Sequence, residues 1–81
     1  MDLTPMQQHI LIDLLIHGPD GAKNIGNRTN HRRQSVTTAL TGKLSKEQLV
    51  RNKGSGIWEL TGDGVLDARS LARSDLETYD E

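Results

Sequence analysis

The chain of 81 residues contains no cysteine and no phenylalanine, and its only aromatic residues are Trp58 and Tyr79. The absence of cysteine excludes a disulfide framework, a thiol nucleophile and a cysteine-ligated zinc site. Two aromatic rings are too few for the stacking platforms that bind single-stranded nucleic acids. The fold must therefore be held together by packing alone, and RNA binding is disfavoured.

Long apolar runs are also missing. The longest, from Ile10 to Ile16, is interrupted by Asp13 and is too short to span a bilayer, and the N-terminus lacks the basic flank of a signal peptide. We expect one soluble, cytoplasmic domain over residues 1–81, with no membrane contact. A core of this size leaves little stability for an elaborate buried catalytic site, and no nucleophile elbow, phosphate loop or carboxylate pair is evident. These features favour a binding module over an enzyme and give no indication of a cofactor.

The charges are sorted along the chain. Eight of the ten basic residues lie between Lys23 and Lys53, where Glu47 is the only acid, so that this stretch carries a formal charge of +7. The rest of the chain has two basic residues against ten acids, a formal charge of −8. The overall charge of −1 therefore conceals a dipolar molecule, and the basic stretch predicts a polyanionic partner.

Three helices are predicted in the first half of the chain. Thr4 and Gln7 form a capping box around Pro5, so the first helix should begin at about Pro5, and Gly18-Pro19 should end it. A short helix over 22–28 follows, then turn and capping residues at Thr29-Asn30. From about His31, four apolar residues recur at helical spacing and predict a third helix: Val36, Ala39, Leu40 and Leu44. The last two helices should form a helix-turn-helix.

The opposite face of this third helix is polar but uncharged: it carries Gln34, Thr38, Thr41, Gly42 and Ser45. A merely solvated helix face usually carries Glu and Lys, whereas short hydrogen-bonding side chains suit base edges and phosphates. The pattern favours a nucleic-acid reading surface, and the alternative is an ordinary polar face.

From Leu49 the sequence changes to strand chemistry, with two strand-like segments on either side of Gly54-Ser55-Gly56, which predicts a hairpin. Trp58 on the return strand should lie in the core. A final helix over about 62–78 places Val65, Ala68, Ala72, Leu76 and Tyr79 on one stripe. Leu66 and Leu71 lie off this stripe, which suggests a homodimer through the first and last helices.

The order of elements and the segment from Leu49 to Gly64 resemble a winged helix-turn-helix domain. The motif is a Leu-Val-basic strand, a Gly-x-Gly turn, a strand with Trp58, and a Thr-x-x-Gly entry into the last helix. The chain is similar to small archaeal regulators of the type of the phage phi-H repressor and, more broadly, to MarR-like domains. This resemblance implies a mainly α, α+β fold with a three-helix core, a two-stranded wing and a C-terminal helix.

The resemblance also implies that a recognition helix around 34–46 binds the major groove and that a wing tip around 53–56 contacts the minor groove or backbone. Two positions depart from the pattern. Gln48 stands where these domains usually have glycine, and Gly42 weakens the helix interior by roughly 1 kcal/mol relative to alanine. We expect the helix to end early or to bend near Gly42.

Eleven residues are candidates for DNA contact. Arg32 and Arg33 lie in the first turn of the recognition helix, where the helix dipole disfavours cations, so a role on phosphate or guanine is favoured over ordinary exposure. The full set comprises Arg32, Arg33, Gln34, Ser35, Thr37, Thr38, Thr41, Lys46, Arg51, Lys53 and Ser55. Lys43, near the apolar side, should serve only the general field.

Three histidines raise a metal hypothesis. His9, Asp13 and His17 share one face of the first helix, but an exposed polar face is commoner than a metal site, and we predict no metal. His31 is better interpreted as a turn residue or a backbone contact near DNA.

The sequence thus predicts a dimeric, sequence-specific regulator of double-stranded DNA, a repressor that occludes an operator, without an evident small-molecule effector. The alternative is a winged-helix protein-interaction module whose basic face docks an acidic partner. An RNA-binding winged helix is the third interpretation.

Overall fold

The computed structural model describes the backbone of residues 3–79 and the side chains of residues 3–73. Helix α1 spans Pro5–His17. Its capping box is formed as predicted: the Gln7 N–H donates to Thr4 Oγ1 at 3.2 Å, and the Thr4 N–H donates to Gln7 Oε1 at 2.9 Å. Gly18, with φ of 82°, caps the other end.

Helices α2 (Ala22–Thr29) and α3 (Arg33–Ala39) form the helix-turn-helix. Asn30 ends α2 in the left-handed conformation, at φ of 61°. The turn is tight because Gly26 has no side chain: a Cβ there would lie 2.6 Å from the backbone oxygen of His31. The pair of helices predicted from the apolar spacing is confirmed, with α3 starting two residues later than expected.

The recognition helix bends where Gly42 predicted it. The helix continues after α3 over Leu40–Leu44 but is kinked there, because Gly42 leaves helical geometry, at φ of −96° and ψ of −108°. Helical backbone then resumes through Lys46. Gln48 adopts a left-handed φ of 58°, which explains why related domains place glycine at this position.

The sheet has three strands, one more than the predicted two-stranded hairpin. Strand β2 covers Val50–Gly54 and β3 covers Ile57–Leu60. Asp20–Gly21, predicted as a polar break, forms β1 and pairs antiparallel with β3, which gives the order β1-β3-β2. A strand of two residues is too short to show the alternation of apolar and polar residues by which strands are predicted from sequence, and it forms only because a neighbouring strand lies beside it.

Helix α4 spans Gly62–Tyr79 and packs against α1. The Thr61 hydroxyl oxygen accepts from the Gly64 N–H at 3.0 Å. A Cβ at Gly64 would lie 1.9 Å from the Leu49 carbonyl oxygen. The last position of the Thr-x-x-Gly motif therefore requires glycine, because a side chain there would clash with the backbone. Leu66 is 64% exposed. The predicted stripe positions Leu76 and Tyr79 lie outside the residues whose side chains are described.

One hydrophobic core joins all these elements. Trp58 is buried under the sheet, as predicted, and the largest fully buried side chains are Ile10, Leu11, Ile25, Val36, Leu40 and Leu44. None of the helices within residues 3–79 has the length and apolarity needed to cross a bilayer. Three helices, a strand hairpin and a C-terminal helix in this order make the winged helix-turn-helix fold.

Candidate nucleic-acid interface

The outer face of the recognition helix is exposed and uncharged, as the sequence predicted. Gln34, Thr37, Thr38 and Thr41 are exposed, and Ser35 is half-buried. The structure gathers part of the predicted set into one shallow groove, whose lining comprises Met6, Arg32, Gln34, Ser35 and Thr38.

Two threonines on this face turn their hydroxyl groups back onto the helix. Thr38 Oγ1 donates to the Gln34 carbonyl at 2.9 Å, and Thr41 Oγ1 donates to the Thr37 carbonyl at 2.8 Å. Such bonds to the carbonyl four residues earlier fix the side-chain rotamer. The hydroxyl hydrogen is then occupied, while the oxygen lone pairs and the methyl group remain available to a ligand.

Three cations next to this face are exposed and carry no ion pair with any carboxylate of residues 3–73: Arg32, Arg33 and Lys46. Arg32 occupies the N-cap position of α3 without a capping side-chain bond. Lys43, by contrast, pairs with Glu47 at 3.0 Å, which offsets part of its contribution to the general field.

The wing tip is a tight turn with Ser55 and Gly56 at its centre. Both have positive φ, 56° and 74°, as a type I′ hairpin turn requires. Asn52 supports the turn because its Oδ1 accepts from the Gly54 N–H at 2.7 Å. The Ser55 side chain is thereby presented at the tip, where it is exposed.

The wing cations share one acid that sequence reasoning did not single out. Arg51 and Glu59 are cross-strand partners, and the Arg51 Nε donates to Glu59 Oε2. Lys53 Nζ lies 3.9 Å from Glu59 Oε1. The side chains of Arg51 and Lys53 stay 69% and 50% exposed. Both side chains are accessible to a polyanion, and their contacts with Glu59 restrain their positions. The opposite charges on the two predicted strands are the sequence signal from which this contact could have been found.

Arg28 belongs to the basic stretch in the sequence but not to an open basic surface. It donates to Asp13 through Nη2 at 2.8 Å and through Nε at 3.0 Å, and to Asp20 through Nη1 at 2.9 Å. Asp13 is only 6% exposed. The two carboxylates, Asp13 foremost, raise the pKa of Arg28 further above its usual range. The formal charge of +7 therefore overstates the field of this region.

Asp20 is the third member of this cluster. Hydrogen bonds from the Asn24 amide, the Gly21 N–H and the Arg28 guanidinium lower the pKa of the Asp20 carboxyl to about 2. The cluster connects α1, β1 and the end of α2, and so it helps to set the position of the helix that precedes the recognition helix.

Two of the three histidines contact each other: the rings of His9 and His31 stack with centroids 6.1 Å apart. His31 lies in the turn between α2 and α3, in agreement with one of its two interpretations. Its Nε2 atom is buried without a hydrogen-bond partner among the described residues, and its contact with DNA stays a prediction. Asp13, between His9 and His17 in the sequence, is engaged by Arg28, and residues 3–73 contain no cluster of three metal-ligating side chains.

Comparisons with known proteins find similarity at the level of structure. No protein-family model matches the chain, and no curated protein sequence matches it significantly.

Several solved structures are similar over almost the whole chain. ZitR of Lactococcus lactis is 30% identical over 99% of the chain, with a TM-score of 0.81. NMB1585, a MarR family regulator from Neisseria meningitidis, is 25% identical over 98%, with a TM-score of 0.82. The adhesin competence repressor AdcR of Streptococcus pyogenes is 25% identical over 98%, with a TM-score of 0.83.

A ZitR variant in complex with DNA is also similar, with 27% identity over 98% of the chain and a TM-score of 0.77. The chain spans only 58%, 59% and 62% of the ZitR, NMB1585 and AdcR chains, respectively. These neighbours support a winged helix of the MarR-like kind.

Proposed function

We propose that this protein is a sequence-specific, double-stranded DNA-binding transcriptional regulator that acts as a repressor. The recognition helix enters the major groove, and the wing, with Arg51, Lys53 and Ser55, contacts the backbone or the minor groove. Binding occludes an operator or promoter. The protein acts in the cytoplasm, and no small-molecule effector is part of the proposal.

The observation that carries the proposal is the exposed, uncharged polar face of α3 beside unpaired cations. Gln34 and Thr38 offer hydrogen-bonding groups to base edges, while Arg32 and Arg33 supply the charge that attracts phosphates. A surface built only for solvation would carry mixed charges on the helix itself. A surface built only for phosphate would not need short polar side chains at its centre.

The structural neighbours support this function. One of them is a regulator, one is a repressor, and one is bound to DNA, as their descriptions state. The chain covers only about three fifths of their length. We therefore base the proposed regulation, repression and DNA partner on the surface of this protein itself. We also propose that the protein belongs with the archaeal phi-H repressor-like regulators, which the resemblance of its wing motif supports.

The proposed active form is a homodimer through the first and last helices. Ile16 on α1 and Leu66 on α4 are large apolar side chains that are 68% and 64% exposed, more than solvation favours. Two heads related by a two-fold axis would contact half-sites about 34 Å apart on a pseudo-palindromic operator.

The first test is a fluorescence-anisotropy titration onto random duplex DNA across a salt series. The variant combines Arg32→Ala with Arg33→Ala. The matched control combines Arg69→Ala with Arg73→Ala, which removes the same charge from exposed positions of α4. We expect the slope of log affinity against log salt to fall by about two in the variant, because two phosphate contacts are lost.

The control should keep the slope of the unmodified protein. Equal flattening in both variants would reduce the role of Arg32 and Arg33 to general charge. No binding of the unmodified protein at low salt would refute DNA binding and favour the protein-interaction module.

A second test separates base reading from charge. Gln34→Ala and Thr38→Ala leave the net charge unchanged, so they should alter the sequence preference in a selection from random duplexes while the salt slope stays the same. An unchanged preference would show that this helix does not read bases.

A further inference from the structure

We infer that Thr38 and Thr41 make this interface select A·T base pairs, because each presents a methyl group and oxygen lone pairs but no hydrogen-bond donor. The inference rests on the proposed DNA-binding function and specifies which bases the recognition helix reads. It starts from the two hydroxyl groups that donate to the helix backbone at 2.9 and 2.8 Å. Both threonines are exposed, so the remaining groups of each side chain are accessible to a ligand.

The chemistry of the major-groove edges decides which bases fit such a surface. A lone pair needs a donor, which adenine N6 and cytosine N4 provide, and a methyl group fits the C5-methyl of thymine. An A·T pair carries both features on the same edge. A G·C pair offers the same number of donors and acceptors in the major groove but has no methyl group, so the contact with the thymine methyl is what distinguishes the two pairs.

On the outward face only these two residues combine a methyl group with a hydroxyl that donates to the backbone. The Ser45 hydroxyl also donates, to the Leu40 carbonyl at 2.6 Å, but serine has no methyl group. Within residues 3–73, neither Ser35 nor Thr37 forms a side-chain hydrogen bond, and their hydroxyl groups can rotate to donate or accept. The Gln34 side chain also makes no hydrogen bond with the described residues, and a free amide is suited to a bidentate contact with adenine. Gln34 thereby adds to the same preference.

The spacing along the helix fits consecutive base pairs. Thr38 and Thr41 are separated by about 4.5 Å along the axis at 1.5 Å per residue, compared with about 3.4 Å between base pairs. A helix lying along the groove therefore places the two side chains over adjacent or next-adjacent pairs. The inference predicts at least two A·T pairs within about three positions in each half-site.

The experiment begins with the selection of a binding site from random duplexes by the unmodified protein. Each thymine of the selected duplex is then replaced singly by uracil, which removes only the C5-methyl group. At one thymine for each threonine we expect about a fourfold loss of affinity, the effect of exposing one buried methyl-sized group to water.

Serine variants identify the protein side of each contact. Thr38→Ser and Thr41→Ser keep the hydroxyl group and its bond to the backbone but lose the methyl. Each should lose about fourfold on the thymine duplex and become insensitive to uracil at one position only. Thr29→Ser is the matched control, since Thr29 makes the same kind of bond, to Ile25 O at 2.7 Å, on α2; it should keep the full uracil sensitivity.

Four results would overturn the inference while leaving duplex binding intact: no enriched site, a half-site with G·C pairs at the affected positions, affinity indifferent to uracil, or serine variants as sensitive as the unmodified protein. The complete absence of duplex binding in the salt titration would refute the proposed function itself. The two failures are therefore distinguishable.

Discussion

Arg28 joins three parts of the chain through its guanidinium group. The buried carboxylate of Asp13 receives two of its donors, and Asp20 receives a third. Loss of the guanidinium would leave Asp13 buried without a counter-charge, which is much costlier than loss of a surface ion pair. At the residue scale, a cation that the sequence assigns to a binding surface thus serves to hold α1, β1 and α2 together.

Asp20 should make the stability of this cluster dependent on pH. Its pKa is lowered in the folded protein to about 2, against about 3.9 in an unfolded chain. The stabilisation is therefore fully present above about pH 4 and is lost as the pH falls towards 2. Urea unfolding of the protein and of Asp20→Asn should differ by a constant free energy above pH 5, and this difference should shrink below pH 4. A difference that stays constant down to pH 2 would contradict the pKa assignment.

Gln48 carries a left-handed backbone conformation, at φ of 58°, without the glycine that adopts it at least cost. Gln48→Gly should raise the free energy of unfolding by about 1 kcal/mol, because the removal of a Cβ clash of about 1–2 kcal/mol outweighs the extra chain entropy of glycine. Gln48→Ala keeps the Cβ and should give no gain. Chemical denaturation of the three proteins checks this, and a destabilised glycine variant would contradict it.

At the scale of elements, the fold depends on two close backbone approaches at glycine. Gly26 lets the turn before α3 pass close to α2, and Gly64 lets the start of α4 meet the Leu49 carbonyl at the entry to β2. The same Leu49 oxygen accepts from the Thr61 N–H at 3.0 Å. These contacts set the orientation of the recognition helix and the wing relative to the core.

Gly64→Ala should therefore destabilise the fold strongly. A Cβ 1.9 Å from a backbone oxygen forces the start of α4 away from Leu49, which should lower the free energy of unfolding by about 3 kcal/mol. Gly62→Ala, two residues earlier in the same helix, would meet nothing within 4 Å and should leave stability unchanged within about 0.5 kcal/mol. Thermal unfolding followed by circular dichroism compares the two, and equal stability would contradict the close approach.

At the scale of the whole molecule, the sorted charges are partly neutralised in place. The wing cations share Glu59 and Lys43 pairs with Glu47, whereas Arg32, Arg33 and Lys46 near the recognition face have no carboxylate partner among residues 3–73. Long-range electrostatic attraction should bring DNA to the side of the recognition helix, and the acidic residues of α4 should face away from the DNA.

The proposed dimer leads to a test on the opposite side of the molecule. Leu66→Lys should shift a dimer towards monomer, because it places a charge in an apolar contact, while the exposed position preserves the fold. Ser70→Lys adds the same charge at another exposed position of α4 and serves as the control. Sedimentation equilibrium of the three proteins gives the masses. An unmodified protein that remains monomeric at high concentration would remove the dimer from the proposal.

Features that depend on residues a few positions apart could be predicted from the amino-acid sequence. The capping box at Thr4 and Gln7, the helix-turn-helix, the hairpin turn at Gly54-Ser55-Gly56 and the bend at Gly42 all follow from local hydrogen bonding, backbone freedom and apolar spacing. The exposed polar face of the recognition helix was predictable for the same reason.

The partners of the charged and buried groups, by contrast, are set by the packing of the whole fold. Arg28 meets Asp13 across 15 residues, and the ring of His31 packs against that of His9. Strand β1 exists because β3 lies beside it. No local pattern encodes such contacts, since they form when separate segments are packed against one core, and they determine which of the predicted cations remain available to a partner.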